Sequence, residues 1–193
     1  MGEHSLESVG ALGTGEPRAD AVGAIRIAEN PGVALASVAA RRGRGAEMAA
    51  AAETLLASPM PPVGGRTGAG PVRAFWTGPD RWMFEAPFAT HELLAEAVKA
   101  ALGDTASVTE QTDAWVRFDV EGATVPEVFE RLCPLDIGAM AADTVARTTI
   151  GHLGCYVLCR HDGAAFSVLG PRSAATSLHH ALVSAAGSIA AFS

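Results

Sequence analysis

Aromatic residues are scarce in this chain of 193 residues: they make up 6% of it, as one tyrosine, three tryptophans and seven phenylalanines. Much of the 49% hydrophobic content is alanine, so each large ring weighs heavily in whatever core forms. Cysteine is sparse too. Three cysteines, an odd number without a signal-like start, exclude a disulfide framework and fit a reducing compartment. Long apolar runs are missing, with none near the roughly 18 residues a membrane span needs. The N-terminus also lacks the charged-then-apolar order of an export signal. The expectation is a cytoplasmic protein with no membrane partner. Positive charge is short as well: Lys and Arg total 14 against 21 Asp and Glu, a net charge of −7. That balance speaks against a nucleic-acid partner, whose footprint is basic. The basic cluster RRGRG at 41–45 reads as a solvated strand end and turn. With 18% charged residues the chain is not disordered overall, and at this length it buries roughly 70% of its unfolded surface without a disulfide or metal staple.

What is present is an alternation of short strands and amphipathic helices. Residues 1–22 are rich in Gly, Ser and Glu with no hydrophobic period, and read as a flexible tail. In TVPEVFERLCP, Thr124 and Glu127 have capping-box spacing and Pro126 suits a first turn. Val125, Val128, Phe129 and Leu132 then form one helical face. A second helix is expected from Thr90 to Gly103, with Leu93, Leu94, Ala97, Val98 and Ala101 inward. A third runs from Ser173 to Gly187 through Leu178 and Leu182, and the alanine-rich stretch 46–57 is a fourth, ended by Pro59. The alternation in AWVRFDV puts Ala114, Val116, Phe118 and Val120 on one face and Trp115, Arg117 and Asp119 on the other. Val72–Thr77 and Trp82–Ala86 flank Gly78-Pro79-Asp80-Arg81, a hairpin turn with proline where its fixed φ is wanted. Trp82, Phe84 and Ala86 share one face of that hairpin, and Met83 and Glu85 the other.

A weak internal repeat links these elements. From Trp82 and from Phe166, a proline follows five residues on (Pro87, Pro171). A leucine follows seven beyond that (Leu94, Leu178), and an apolar residue four further (Val98, Leu182). Upstream, Gly45 and Leu55 mirror Gly122 and Leu132. Each half then runs strand, helix, hairpin, helix. This predicts a single α+β domain over 23–193 made of two similar halves, about 23–103 and 104–193. The architecture is two-layer and ferredoxin-like, with mostly antiparallel sheet and helices packed on it.

The candidate sites are few. His152, Cys155, Cys159 and His161 lie within GHLGCYVLCRH, but a strand places Cys155, Val157 and Cys159 on one face and turns His152 away, so four ligands do not converge on one tetrahedral ion. Buried cysteines acting as small apolar residues are expected instead. His179 and His180 diverge by about 100° on a helix and read as partly exposed neighbours of the Leu178/Leu182 stripe. No serine or cysteine sits in a nucleophile elbow. GGRTGAG at 64–70 lacks the lysine of a phosphate loop and reads as a mobile loop. Trp115 and Arg117 share the sheet face opposite Val116 and Phe118. Either that face is covered or Trp115 packs on a neighbouring strand, or the pair anchors a protein interface, where Trp and Arg dominate binding energy.

Taken in order, GPDRWMF, VTEQTDAWVRFDVEGATVPEVFERLCPLDI and ARTTIGHLGCYVLCRHDGAAFSVLGPRSAATSLHHAL resemble the gamma subunit of heterotetrameric sarcosine oxidase over about residues 72–186. From Thr112 onward the chain also resembles the first part of the glycine-cleavage T-protein family, whose folate-binding fold is built from a similar strand–helix–hairpin unit. The resemblance implies a complex that oxidatively demethylates sarcosine to glycine, producing hydrogen peroxide and either formaldehyde or methylenetetrahydrofolate. It implies alpha, beta and delta subunits as partners. FAD, FMN, NAD and tetrahydrofolate belong to those partners, and this chain carries no cofactor, no metal and no catalytic residue. The expected role is support of assembly. The alternative is a free-standing folate or one-carbon binding protein of the T-protein-like fold.

Overall fold

The structure, a computed structural model, describes residues 8–13, 15–161 and 163–191. Among them lie eleven strands and four α-helices. The strands are β1 (Ala19–Val22), β2 (Ile25–Glu29), β3 (Val33–Ala40), β4 (Arg66–Thr67), β5 (Arg73–Gly78), β6 (Arg81–Pro87), β7 (Ala106–Glu110), β8 (Trp115–Gly122), β9 (Thr144–Ile150), β10 (Leu153–His161) and β11 (Ala165–Pro171). The helices are α1 (Gly45–Leu56), α2 (Leu94–Leu102), α3 (Val125–Glu130) and α4 (Ala175–Ala190). None of them is long and apolar enough to cross a membrane.

The chain divides into two compact units, one built from Gly32–Asp113 and the other from Val9–Pro31 together with the chain from Ala114 onward. Each holds one antiparallel sheet. In the first unit the strand order is β4-β5-β6-β3-β7, and in the second β1-β2-β8-β11-β10-β9. In the first unit the succession β3-α1-β5-β6-α2-β7 is the ferredoxin-like βαββαβ pattern. The second unit repeats it as β8-α3-β10-β11-α4, and the place beside β8 is taken by β2 from earlier in the chain. The fold is therefore α+β, with two duplicated ferredoxin-like halves and helices packed on each sheet.

The unit boundaries differ from the expected division at 103/104 for a reason of strand pairing. β7, beyond that point, pairs with β3, while β2 pairs with β8 across a long sequence separation. Residues 19–22, expected in a flexible tail, form β1 on the edge of the second sheet. Residues 1–7 of that expected tail lie outside the described residues.

Local chemistry explains most elements. Gly78 and Arg81 pair across Pro79-Asp80, and Asp80 takes a positive φ of 54°, the conformation a type II turn requires of its second central residue. β6 and β11 both end in proline with nearly the same backbone, φ −59° and ψ 124° at Pro87, φ −57° and ψ 128° at Pro171. Each proline leads through one 3₁₀ turn into a helix, so the repeated corner is a structural repeat. Leu94 and Val98 on α2 match Leu178 and Leu182 on α4, and all four are fully buried. The upstream part of the repeat does not correspond, since Gly45 opens α1 whereas Gly122 closes β8.

Three helix expectations change. Thr124 makes no side-chain cap bond, so the capping box does not form, and α3 stops at Glu130. α2 starts at Leu94, after a 3₁₀ turn over Phe88–Thr90, and leaves Leu93 61% exposed. α4 continues through Gly187 to Ala190, because Ala185 and Ala186 beside that glycine are buried and packing outweighs its poor helix propensity.

In the second unit Val116, Phe118 and Val120 of β8 pack with Phe129, Phe166, Leu178 and Leu182. Phe129 and Phe166 stack at 5.6 Å with their planes tilted by 49°, a geometry worth about 0.5–1.5 kcal/mol beyond area burial. In the first unit Phe84 and Ala86 join Met48, Leu56, Leu94 and Val98, and Trp82 borders this core, half-buried. Its indole N–H donates to the Pro61 carbonyl at 3.2 Å, tying the proline-rich loop to β6. Met83 and Glu85 do face the other way, yet both are buried.

Candidate functional site

The pleat of β8 sets Trp115, Arg117 and Asp119 on the face opposite the Val116/Phe118/Val120 core. Trp115 is half-buried, and its ring lies 5.3 Å from that of Tyr156 on β10. The register places Leu169 of β11 opposite both Arg117 and Tyr156, and Leu169 is fully buried. Trp115 thus packs toward neighbouring strands, as one of the two sequence readings has it, while part of the ring stays accessible. Arg117 is less available: its side chain is 10% exposed, and its Nε donates to Asp119 Oδ1 at 2.9 Å.

Asp119 is the centre of this face. Its Oδ1 also accepts the Ser167 hydroxyl at 2.6 Å, and its Oδ2 accepts the Asn30 amide at 2.8 Å. Arg160 approaches from β10 at 3.7 Å and donates to Glu121 at 2.8 Å. Burial acts to raise the Asp119 pKa, but the Arg117 charge and the bonds from Ser167, Asn30 and Arg117 outweigh it and hold the carboxyl below its ordinary value. A carboxylate with both oxygens engaged and its charge compensated is a structural hub, poorly suited to take a proton from a substrate. The i, i+2 spacing of Arg117 and Asp119 was visible in the sequence; Asn30 and Ser167, 89 and 48 residues away, were not.

The cysteine–histidine stretch resolves as packing. Cys155, Val157 and Cys159 are buried in the second core. Burial pushes the Cys155 thiol up to about 11, so it is neutral at physiological pH and neither a nucleophile nor a metal ligand in that state. His152 sits in the turn before β10 with φ 69°, apart from the two cysteines. Among the described residues no group of three His, Cys, Asp or Glu side chains is placed to hold a metal ion.

Two expectations are corrected here. His179 is buried, not partly exposed: its Nε2 lies 2.7 Å from Asp20 Oδ2, and its ring stacks 5.6 Å from Phe118. Of the two, His180 is the one that faces solvent. Arg18 bonds Asp20 in turn, and that bond, with a smaller contribution from His179, keeps the Asp20 carboxyl below its ordinary pKa against the opposing effect of burial. An ionised Asp20 only accepts, so Nε2 is the donor in this bond. The pair fastens β1 to α4, a contact invisible in sequence because 159 residues separate its members. Likewise the 64–70 stretch is not simply a loop. Arg66 on β4 pairs with Glu85 on β6 at 2.5 Å, their side chains 9% and 4% exposed, and Ser58 bonds Thr67 at 3.1 Å.

A further buried acid went unnoticed in the sequence. Glu29, 6% exposed at the end of β2, accepts the backbone N–H groups of Ala11, Leu12 and Arg18. It satisfies amides that would otherwise be left unpaired. Arg172 adds a bond to the Val9 carbonyl at 2.7 Å. These groups tie Val9, Ala11, Leu12 and Arg18 to the second unit.

No protein-family model matches the chain, and no curated protein matches it in sequence. Solved structures do share its fold. A chain of heterotetrameric sarcosine oxidase from Corynebacterium sp. U-96, in complex with pyrrole 2-carboxylate, superposes with a TM-score of 0.75 at 19% identity, covering 89% of this chain and 88% of that one. Glycine cleavage system aminomethyltransferase T from Bartonella henselae gives a TM-score of 0.60 at 12% identity, covering 84% of this chain and 46% of that chain. The present chain therefore spans less than half the length of the aminomethyltransferase. At these identities the likeness is one of fold, and it falls on the two families the sequence resembles.

Proposed function

We propose that this chain is the gamma subunit of a heterotetrameric sarcosine oxidase, a supporting chain with no active site of its own. The observation that carries the reading is the two-way coverage of the sarcosine oxidase chain: 89% of this chain against 88% of that one makes the two nearly equal in length. The aminomethyltransferase uses the same fold in a protein of more than twice the matched span. The polar geometry is in keeping with a supporting role. The candidate face is organised around an Asp119 carboxylate committed to internal partners, and the buried Cys155 thiol is held neutral.

In this reading the complex oxidatively demethylates sarcosine to glycine, with hydrogen peroxide and formaldehyde or methylenetetrahydrofolate as the other products. The alpha, beta and delta subunits are the partners, they carry FAD, FMN, NAD and tetrahydrofolate, and the complex is cytoplasmic. Trp115 is the contact residue on the second unit, and Arg117 supports it by holding the surrounding face in place. Expressed alone, the chain should be colourless, retain no flavin and leave sarcosine unoxidised. Flavin retained stoichiometrically by the isolated chain would overturn the reading, and tight binding of tetrahydrofolate in a titration would favour a free-standing folate protein instead. Trp115→Ala should lower the yield of assembled complex without unfolding the chain; an unchanged yield would remove that residue from the interface.

A further inference from the structure

The two units agree in strand order except at one edge. In the second unit β1 lies antiparallel along the outer side of β2, from Ala19 opposite Ala28 to Val22 opposite Ile25. In the first unit β7 holds the place of β2, bordering the first strand of the repeat, and the sheet order ends there. The far edges do not differ in this way, since β4 and β9 are each terminal in their sheets. Among the described residues, the outer side of β7 is therefore where one half lacks a strand that the other half has.

The backbone of β7 defines what this edge offers. Arg41 N–H donates to the Thr105 carbonyl and Gln111 N–H to the Leu35 carbonyl, both at 2.9 Å. In that register the alternation of an antiparallel ladder directs the N–H and C=O of Ser107 and Thr109 toward β3. Those of Val108 and Glu110 point outward. The Val108 side chain packs half-buried against the first core, while Ser107, Thr109 and Glu110 are exposed. The strand, ASVTE, has no proline, lysine or register shift of its own, devices that guard an edge. Only at its start does Lys99 of α2 reach it, donating to the outward Ala106 carbonyl at 3.4 Å, and the Val108–Glu110 stretch is left without such a guard. Its one charge is turned back on its own chain, because the Glu110 carboxylate accepts from the N–H groups of Gln111 and Thr112 and from the Thr112 hydroxyl.

We infer that the outer edge of β7 receives an extended segment of a partner protein chain, added as an antiparallel strand in the way β1 is added to β2. The segment alternates in character: apolar residues beside Val108 prolong the first core, and small polar residues sit beside Ser107 and Thr109. The inference rests on the proposed function, naming the edge at which the partner subunits engage this chain.

The test is Val108→Pro, which removes an outward N–H and leaves the bonds to β3 in place. Wild type and variant are each co-expressed with the alpha, beta and delta chains of a heterotetrameric sarcosine oxidase, and hydrogen exchange is followed at single amides. V108P should keep the circular dichroism and melting profile of the wild type while co-purifying roughly tenfold less partner. In the wild type, the Val108 and Glu110 amides should exchange rapidly in the isolated chain and roughly 100-fold more slowly in the complex, with Thr109 slow in both. The exchange arm decides the matter even if the variant fails to fold. Normal assembly of V108P, or unchanged exchange at Val108, overturns this inference alone. A wild-type chain that assembles with no flavin-binding protein overturns the proposed function and this inference with it. An isolated chain that is dimeric with a protected Val108 amide assigns the edge to a second copy, and also overturns it.

Discussion

Where the first unit lines its core with Ala34, Ala36, Ala52, Ala74, Ala86 and Ala106 around Phe84, with the half-buried Trp82 and Phe88 at its margin, the second packs the fully buried Phe118, Phe129 and Phe166 together. Both build the same order over five strands, the second adding β1 at one edge, and the same proline corner between a sheet strand and the following helix. Topology in this pair is thus set by the alternation of strands and by the corner, while the volume filling the core is free to differ. The difference extends to the opposite sheet faces. There the first unit buries the Arg66–Glu85 ion pair, and the second a network of Asp119 with Arg117, Ser167 and Asn30.

The largest test of the contrast is at the rings. Phe166→Ala removes a fully buried ring stacked on Phe129 and should cost about 3–5 kcal/mol in urea unfolding. A loss below about 1 kcal/mol would mean that the second core repacks as freely as an alanine-rich one.

The proline corner supplies a finer comparison. The residue before Pro171 is Gly170, and the residue before Pro87 is Ala86. A Cβ at Gly170 would come within 2.5 Å of Leu178 Cδ2 and 3.3 Å of Cys155 Sγ, whereas Ala86 already sits buried in the first core. Gly170→Ala should therefore destabilise by roughly 1–3 kcal/mol through overpacking of α4 on β11. Ala86→Gly should cost about 0.5–1 kcal/mol through backbone entropy. Thermal melts of the two variants would show the asymmetry, and equal shifts would remove it.

A further effect, below that expected at the rings, concerns the polar faces. Because the folded pKa of Asp119 lies below its unfolded value of about 3.9, the stabilisation it brings is complete above that pH and is lost as pH falls through the folded pKa. Ser167→Ala deletes one bond to the carboxylate and should cost about 1.5 kcal/mol at neutral pH. It should also lose less stability than wild type on acidification. Parallel melting curves for the two proteins against pH would remove Asp119 from the acid limb.

Local signals made much of the fold legible. The period-2 run of β8, the Gly78-Pro79-Asp80 turn and the Pro87 and Pro171 corners each depend on residues within a few positions, so spacing alone located them. The capping box at Thr124 shows the limit of that reasoning: the spacing was right, but the side chain makes no cap bond. The candidate face was half legible. Trp115, Arg117 and Asp119 follow from alternation, while the Tyr156 ring and the Asn30 and Ser167 donors reach them only through strand pairing.

The sequence by itself determined the α+β class, the repeated strand–proline–helix corner, the burial of Cys155 and Cys159 and the scarcity of rings that makes each one matter. Only the tertiary structure decided that β2 and β1 complete the second sheet while β7 ends the first, that His179 is buried on Asp20, and that Glu29 gathers the amides ahead of β1. The physical reason is the same in each case. Periodicity and turn chemistry are encoded between neighbours along the chain, whereas strand partners and buried polar bonds join residues tens to more than a hundred positions apart, selected by which edge and which donor the folded backbone leaves unsatisfied.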